Sequence, residues 1–311
     1  MTEKDTGKWL KVEVLAHPEL MDALGNFLTE SGAQGVFQES LAPQQTEGDF
    51  PEPADEDIMK AYFPYESRNE KRLAALQKYL DSLAEIFPNL AKPSFTTETI
   101  CDPDWGEQWK KYFIPVRVSK NIVVKPTWER YTPASRDIVI EIDPGMAFGT
   151  GQHPSTRMCI EAIEDVIMND RSIQEWKVLD VGCGTGILGI TAAKMGAQDV
   201  VCIDNDKKAV EIAGENAAIN NVQASLRILN KTAAAIDKKR NLIIANLTAN
   251  LLITLRPHLA ELLLPEGYLI ISGIIEQDAK RIEKEFFVAP LSLHRTITEK
   301  EWVCYVLRRN P

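Results

Sequence analysis

No apolar run in this chain of 311 residues approaches the length needed to cross a bilayer. The opening residues, Met1-Thr2-Glu3-Lys4-Asp5, contain no basic stretch leading into an apolar segment. Neither a secretory leader nor a membrane anchor is therefore expected, and a cytosolic location is. Cysteine is scarce and scattered: Cys101, Cys159, Cys183, Cys202 and Cys304 are odd in number and lack any Cys-x-x-Cys spacing. That argues against a disulfide framework and against a zinc site. The four histidines are isolated in sequence, so no metal is expected. Repeats and low-complexity tracts are missing. Positive charge is also short, with 35 Lys and Arg against 45 Asp and Glu, a net charge of −10. The deficit lies at the front, where residues 1–60 carry thirteen acids, four lysines and no arginine. Nucleic acid is disfavoured by such a balance, because its affinity comes largely from basic contacts. A basic partner would be favoured by long-range steering, although Glu47–Asp57 also reads as a solvated acidic loop.

What is present is an ordinary globular composition, 44% hydrophobic, at a length that suggests two domains. Strand patterns over Trp9–Ala16, Gly35–Ser40, Asp57–Tyr65 and Pro93–Cys101 alternate with two helical ones. The first helix follows Pro18; the second, Asn69–Phe87, places Leu73, Leu76, Leu80, Leu83 and Phe87 on one face. The order β-α-β-β-α-β predicts a ferredoxin-like unit. Asp102–Phe113, with Trp105 and Trp109 four apart, reads as a short connecting helix. Strands at 121–128 and 137–143 follow. Helix and strand then alternate to the end, which predicts a parallel sheet. The last two strands, 291–298 and 302–308, are joined at Glu299-Lys300-Glu301, and a hairpin there places one antiparallel strand in that sheet.

Chemistry concentrates in three segments. Val178–Gly189 reads as a buried strand, an acid at Asp180, a loop with Gly182, Gly184 and Gly186, and the start of a helix. Glycines allow a ligand to approach the backbone closely. The third glycine comes one residue too early for a dinucleotide fingerprint, and the acid would repel a pyrophosphate. The acid instead suits a ligand with a cationic centre and an amino group, as S-adenosylmethionine has. Asp204 lies about one helix and one strand further on. It is therefore predicted at the end of the neighbouring parallel strand, where a carboxylate can accept both ribose hydroxyls.

The second segment, Asp143–Thr156, is a loop rich in glycine and proline that leads into a helix at Pro154-Ser155-Thr156. Its hydroxyls can cap that helix or meet a ligand carboxylate. The third is Asn241–Asn250, a buried strand ending at Asn246. An asparagine there can form a turn with its own backbone, or orient an attacking amine by accepting its hydrogens.

On Asp102-Pro103-Asp104-Trp105 with Trp109, Phe148–Thr156, the glycine loop and Asn246–Asn250, the chain resembles the PrmA family. These are methyltransferases of large-subunit ribosomal protein eleven, and the resemblance covers essentially the whole chain. It implies an α/β fold: a class I S-adenosylmethionine-dependent methyltransferase, Rossmann-like with a seven-stranded mixed sheet, preceded by a small ferredoxin-like domain. The implied organisation is a substrate-recognition domain at 1–101, a linker at 102–120 and a methyltransferase domain at 121–311. The implied activity is methyl transfer to lysine side chains and the N-terminal α-amine of that basic ribosomal protein. Cofactor contacts carry over onto Thr156, Gly182, Asp204 and Asn246, beside Gly184 and Gly186 of the loop. The family usually has two threonines where this chain has Ser155-Thr156.

No residue is identified as a general base, and Asn246 is the candidate for orienting the amine. Two other readings compete. A relative of the same fold could act on a nucleic-acid base or a small molecule, but Asn246-Leu247-Thr248-Ala249 lacks the prolines and aromatic stacker of the base-directed motif. A non-catalytic nucleoside-binding adapter is disfavoured by the intact glycine loop with both acids.

Overall fold

A computed structural model describes residues 8–33, 35–40, 57–101, 113–143, 151 and 153–311. They form two compact units, one ending at Phe113 and one beginning at Ile114. The connecting helix expected at Asp102–Phe113 and most of the acidic loop Glu47–Asp57 lie outside the described residues.

The front unit runs β1 (Lys8–Ala16), α1 (Met21–Glu30), β2 (Gly35–Ser40), β3 (Asp57–Pro64), α2 (Asn69–Ile86) and β4 (Ser94–Cys101). Its sheet order is β2-β3-β1-β4, antiparallel throughout. This is the ferredoxin-like arrangement that the element order predicts. Strict alternation in β1 buries Leu10, Val12, Val14 and Ala16 against Leu24 and Leu28 of α1 and Leu76, Leu80 and Leu83 of α2. Phe87, read as part of that stripe, lies beyond the end of α2 and is exposed.

In the second unit β5 (Val116–Arg117), β6 (Ile122–Lys125) and β7 (Ile138–Glu141) form a small sheet of their own. Then follow α3 (Pro154–Asn169), β8 (Lys177–Val181), α4 (Ile187–Lys194), β9 (Asp199–Asp204), α5 (Lys207–Ile219), β10 (Leu226–Asn230) and β11 (Arg240–Asn246). The chain closes with α6 (Ala249–Leu262), β12 (Leu263–Ile275), α7 (Glu276–Phe286), β13 (Leu291–Glu299) and β14 (Trp302–Arg309).

The seven-stranded sheet has the order β10-β9-β8-β11-β12-β14-β13 and is parallel except for β14. Its central strands are apolar on both faces, as a sheet covered by helices on each side requires. Val178, Val200, Leu242 and Ile244 pack towards α3, α4 and the small sheet. Leu179, Val201, Ile243 and Ala245 pack towards α6 and α7. The small sheet is held by buried Glu164 of α3, which accepts from the backbone N–H groups of Lys120 and Asn121 at 3.1 and 2.9 Å. Strand order runs outward in opposite directions from β8 and β11. The crevice between their carboxyl ends is the topological switch point, where open α/β sheets bind ligands.

Candidate active site

All three segments singled out in the sequence end at that crevice. The loop after β8 turns through three left-handed glycines, Gly182, Gly184 and Gly186, with φ of +69°, +53° and +79°. At Gly182 a Cβ would stand 2.5 Å from Leu247 Cδ2. Backbone conformation and the approach of the segment after β11 therefore both require glycine at this position.

The Gly182 and Cys183 N–H groups donate to the Ile203 carbonyl at 2.9 and 3.0 Å, which ties the loop to β9. Gly184 N–H donates to Asp204 Oδ2 at 3.0 Å, and Asp206 N–H donates to Oδ1 at 2.9 Å. Two backbone donors thus fix the carboxylate at the end of β9, and each oxygen keeps a lone pair for a further donor. That is a fitting acceptor for a vicinal diol. Asn230 lies beside it, donating from Nδ2 to the Asp204 carbonyl at 3.0 Å. Its position beside Asp204 comes from the parallel register of β10 with β9.

Asp180 behaves differently from the sequence reading, which took it as a charge favouring a cationic ligand. It is buried, and Oδ2 accepts from Gly189 N–H in α4 at 2.9 Å. Its Oδ1 has no hydrogen-bond partner among the described residues. Burial pushes this carboxyl up to about 7, and the nearby charge of Asp204 adds to that, against the opposing pull of the Gly189 N–H. The geometry gives Asp180 an anchoring part: it fastens α4, and with it the glycine loop, to β8.

Asn246 closes the other side. Its Nδ2 donates to Ser155 Oγ at 3.1 Å and Thr156 Oγ1 at 3.4 Å. Both hydroxyls sit in the first turn of α3 and are buried. The sequence left open whether they cap the helix or face a ligand. The side chain that accepts from the Ser155 N–H, and so caps α3, is His153. Histidine is not among the usual N-cap residues, so sequence gave little sign of this. Ser272 and Gly273 of β12 were also missed. Ser272 Oγ donates to the Ser155 carbonyl at 3.2 Å, and a Cβ on Gly273 would lie 2.6 Å from the Leu247 carbonyl.

The structure therefore brings Thr156, Gly182, Gly184, Gly186, Asp204 and Asn246 to one sheet edge. Contacts run from Thr156 through Asn246 and Leu247 to Gly182, and from Gly184 to Asp204. The arrangement offers a fixed carboxylate, a close-approach backbone loop and a pair of hydroxyls joined to a carboxamide. It fits a nucleoside that carries an amino-acid group. No group of three or more His, Cys, Asp or Glu side chains suited to a metal ion occurs among the described residues.

Comparison with known proteins gives this geometry a family. The profile of "Ribosomal protein L11 methyltransferase (PrmA)" matches residues 8–310. A ribosomal protein L11 methyltransferase of Geobacter metallireducens is 37% identical over 297 residues, spanning 95% of this chain and 96% of that one. One from Heliobacterium modesticaldum is 36% identical over 310 residues, spanning 97% and 98%. Among solved structures, the ribosomal protein L11 methylase of Lactobacillus delbrueckii subsp. bulgaricus superposes with a TM-score of 0.58 at 30% identity. That alignment covers 64% of this chain and 100% of the other. The chain belongs to the ribosomal protein L11 methyltransferase (PrmA) family.

Proposed function

We propose that this chain transfers methyl groups from S-adenosylmethionine to amine nitrogens of ribosomal protein L11, namely lysine side chains and the N-terminal α-amine. The observation that carries the reading is the meeting of the glycine loop, Asp204 and Asn246 at the switch point, in a chain matched by this family over nearly its whole length. The residues fit the methyl donor. Asp204 would take the ribose hydroxyls, the loop Gly182–Gly186 would admit the nucleoside and amino-acid portions, and the Thr156 hydroxyl would lie near the carboxylate end. When bound, the sulfonium supplies an electrophilic methyl group.

The chain's own part is to place a neutral amine against it. The Asn246 Oδ1 accepts an amine N–H, which aims the nitrogen lone pair along the methyl–sulfur axis. Catalysis is then mostly positioning. A lysine of pKa near 10.4 must lose its proton first, at roughly 4–5 kcal/mol at pH 7. For an α-amine near pKa 8 the figure is about 1–1.5 kcal/mol. The α-amine of L11 is therefore modified first at neutral pH. Lysine methylation gains about tenfold per pH unit between 7 and 9 while the α-amine levels off. Peptide-level mass spectrometry across that range reads both.

The front unit at 1–101 serves substrate recognition, and 102–120 links it to the methyltransferase unit at 121–311. The acidic excess of residues 1–60 suits a basic protein partner. Among the described residues no helix is long and apolar enough to cross a membrane; a cytoplasmic location goes with the proposed ribosomal protein substrate. The substrate class is tested by offering radiolabelled S-adenosylmethionine with L11, with ribosomal RNA and with a DNA oligonucleotide. Label in protein alone supports the reading; label in nucleic acid alone overturns it in favour of a base methyltransferase.

A further inference from the structure

The proposed reaction needs the oxygen, not the nitrogen, of the Asn246 carboxamide to face the amine. The two ends of such a group are nearly the same size and differ only in hydrogen bonding. Something must decide which end points out. A chain of contacts running away from the site does so. Asn246 Nδ2 is 3.1 Å from Ser155 Oγ, Ser155 Oγ is 2.7 Å from His153 Nδ1, and the Ser155 backbone N–H donates to the same Nδ1 at 3.2 Å.

The direction of this chain is fixed from its far end. A backbone N–H can only donate, so Nδ1 must present a lone pair and the imidazole proton must sit on Nε2. The Ser155 hydroxyl then has to donate to Nδ1, sharing that lone pair with the N–H. Its own oxygen is left to accept from Asn246. The carboxamide must therefore turn its NH2 towards Ser155, which leaves Oδ1 as the end for the site. Among the described residues no donor reaches that oxygen. The imidazole is itself held by an edge contact to Trp302 of β14, with ring centroids 4.7 Å apart and planes at 77°. The hairpin carrying Trp302 is tied to α3 by the pair of Arg157 and Glu299.

We infer that His153 is a positioning residue: through the Ser155 hydroxyl it fixes which end of the Asn246 carboxamide faces the substrate amine. The inference rests on the amine methyltransferase reading for its purpose, but its geometry can be tested without that reading. Nitrogen-15 spectra of the full chain labelled in histidine, with the His153 signals assigned by their loss in His153→Phe, show whether the proton is on Nε2 or Nδ1. The Nε2–H tautomer is expected, with the Nδ1 signal shifting in Ser155→Ala. A proton on Nδ1 would overturn the inference, whether or not any methyl group is transferred.

The second measurement separates turnover from binding. His153→Phe keeps a ring against Trp302 and removes the acceptor. It should lower kcat on L11 by about tenfold to a hundredfold while leaving the S-adenosylmethionine dissociation constant within about threefold of wild type. His153→Asn restores an acceptor close to the Nδ1 position and should recover most of the loss. Wild-type turnover by His153→Phe, or a His153→Asn enzyme no better than it, would contradict the inference. Absence of transfer by the wild-type chain itself would instead count against the proposed function.

Discussion

Asp180 is a carboxyl group with one oxygen engaged and one without a partner, closed inside the sheet. Its stability consequence has a definite sign. The folded chain holds this proton up to about pH 7, whereas the unfolded chain releases it near 3.8. Between those values the native state binds the extra proton, so stability falls as pH rises through the window. Below it the group contributes no penalty; above it the penalty is complete, up to about 4 kcal/mol at about 1.36 kcal/mol per unit. Asp180→Asn removes the titration. The stability difference, variant minus wild type, should grow between pH 4 and 7, read by urea denaturation at several pH values. A flat difference would show that the carboxyl is not held protonated.

Gly182 gives a second prediction at this scale. Gly182→Ala must adopt a left-handed backbone, at about 1–3 kcal/mol, and must displace Leu247. Lower stability and at least about tenfold weaker S-adenosylmethionine binding by calorimetry are expected; unchanged binding would contradict the account. The sequence made both residues conspicuous for different reasons. The need for glycine at position 182 was legible because backbone chemistry is local. The acid was misread because the burial that redirects its carboxylate comes from helix packing, which no local motif encodes.

The junction of α4 with β9 shows how tightly elements meet beneath the site. Gly189 lies in the first turn of α4, and a Cβ there would stand 2.2 Å from Cys202 Sγ. Gly189→Ala should therefore destabilise the chain, although alanine is the better helix former by about 1 kcal/mol. Removing the sulfur should reverse the effect. Gly189→Ala with Cys202→Ala is expected to recover more than half of the stability that the single change loses, relative to Cys202→Ala alone. A double-mutant cycle by chemical denaturation measures this, and strictly additive losses would contradict the close packing.

Most elements were readable because a strand buried on both faces leaves a continuous apolar run bounded by turn residues, as in β8, β9 and β11. One long strand was not. β12 begins at Leu263 and runs through Pro265 and Gly267, residue types that ordinarily mark a turn. The structure accommodates them by a register shift in the pairing with β11, between Arg240 and Leu242. The strands expected around 121–128 and 137–143 exist in shortened form. Together with β5, which falls in the expected linker 102–120, they build a separate sheet rather than lead into the main one. Strands this short carry too little pattern to show which sheet they join.

For the whole molecule, the two compact units imply separable duties. A chain lacking residues 1–101 should keep its S-adenosylmethionine dissociation constant within about threefold while losing most of its transfer to L11, since the residues proposed to hold the cofactor all lie in the second unit. Equal loss of both would contradict a recognition role for the front unit. The residues that meet at the switch point were legible because they lie in local runs at strand ends. How they meet was not, because the contacts of Asn246 with Ser155 and of Gly184 with Asp204 depend on strand order. The central claim is tested most directly by the intact mass of purified ribosomal protein L11 after incubation with S-adenosylmethionine and this chain. The account predicts stepwise gains of one methyl group at a time, absent when Gly182→Arg replaces the wild type. An unchanged mass with a chain that binds S-adenosylmethionine tightly would contradict it.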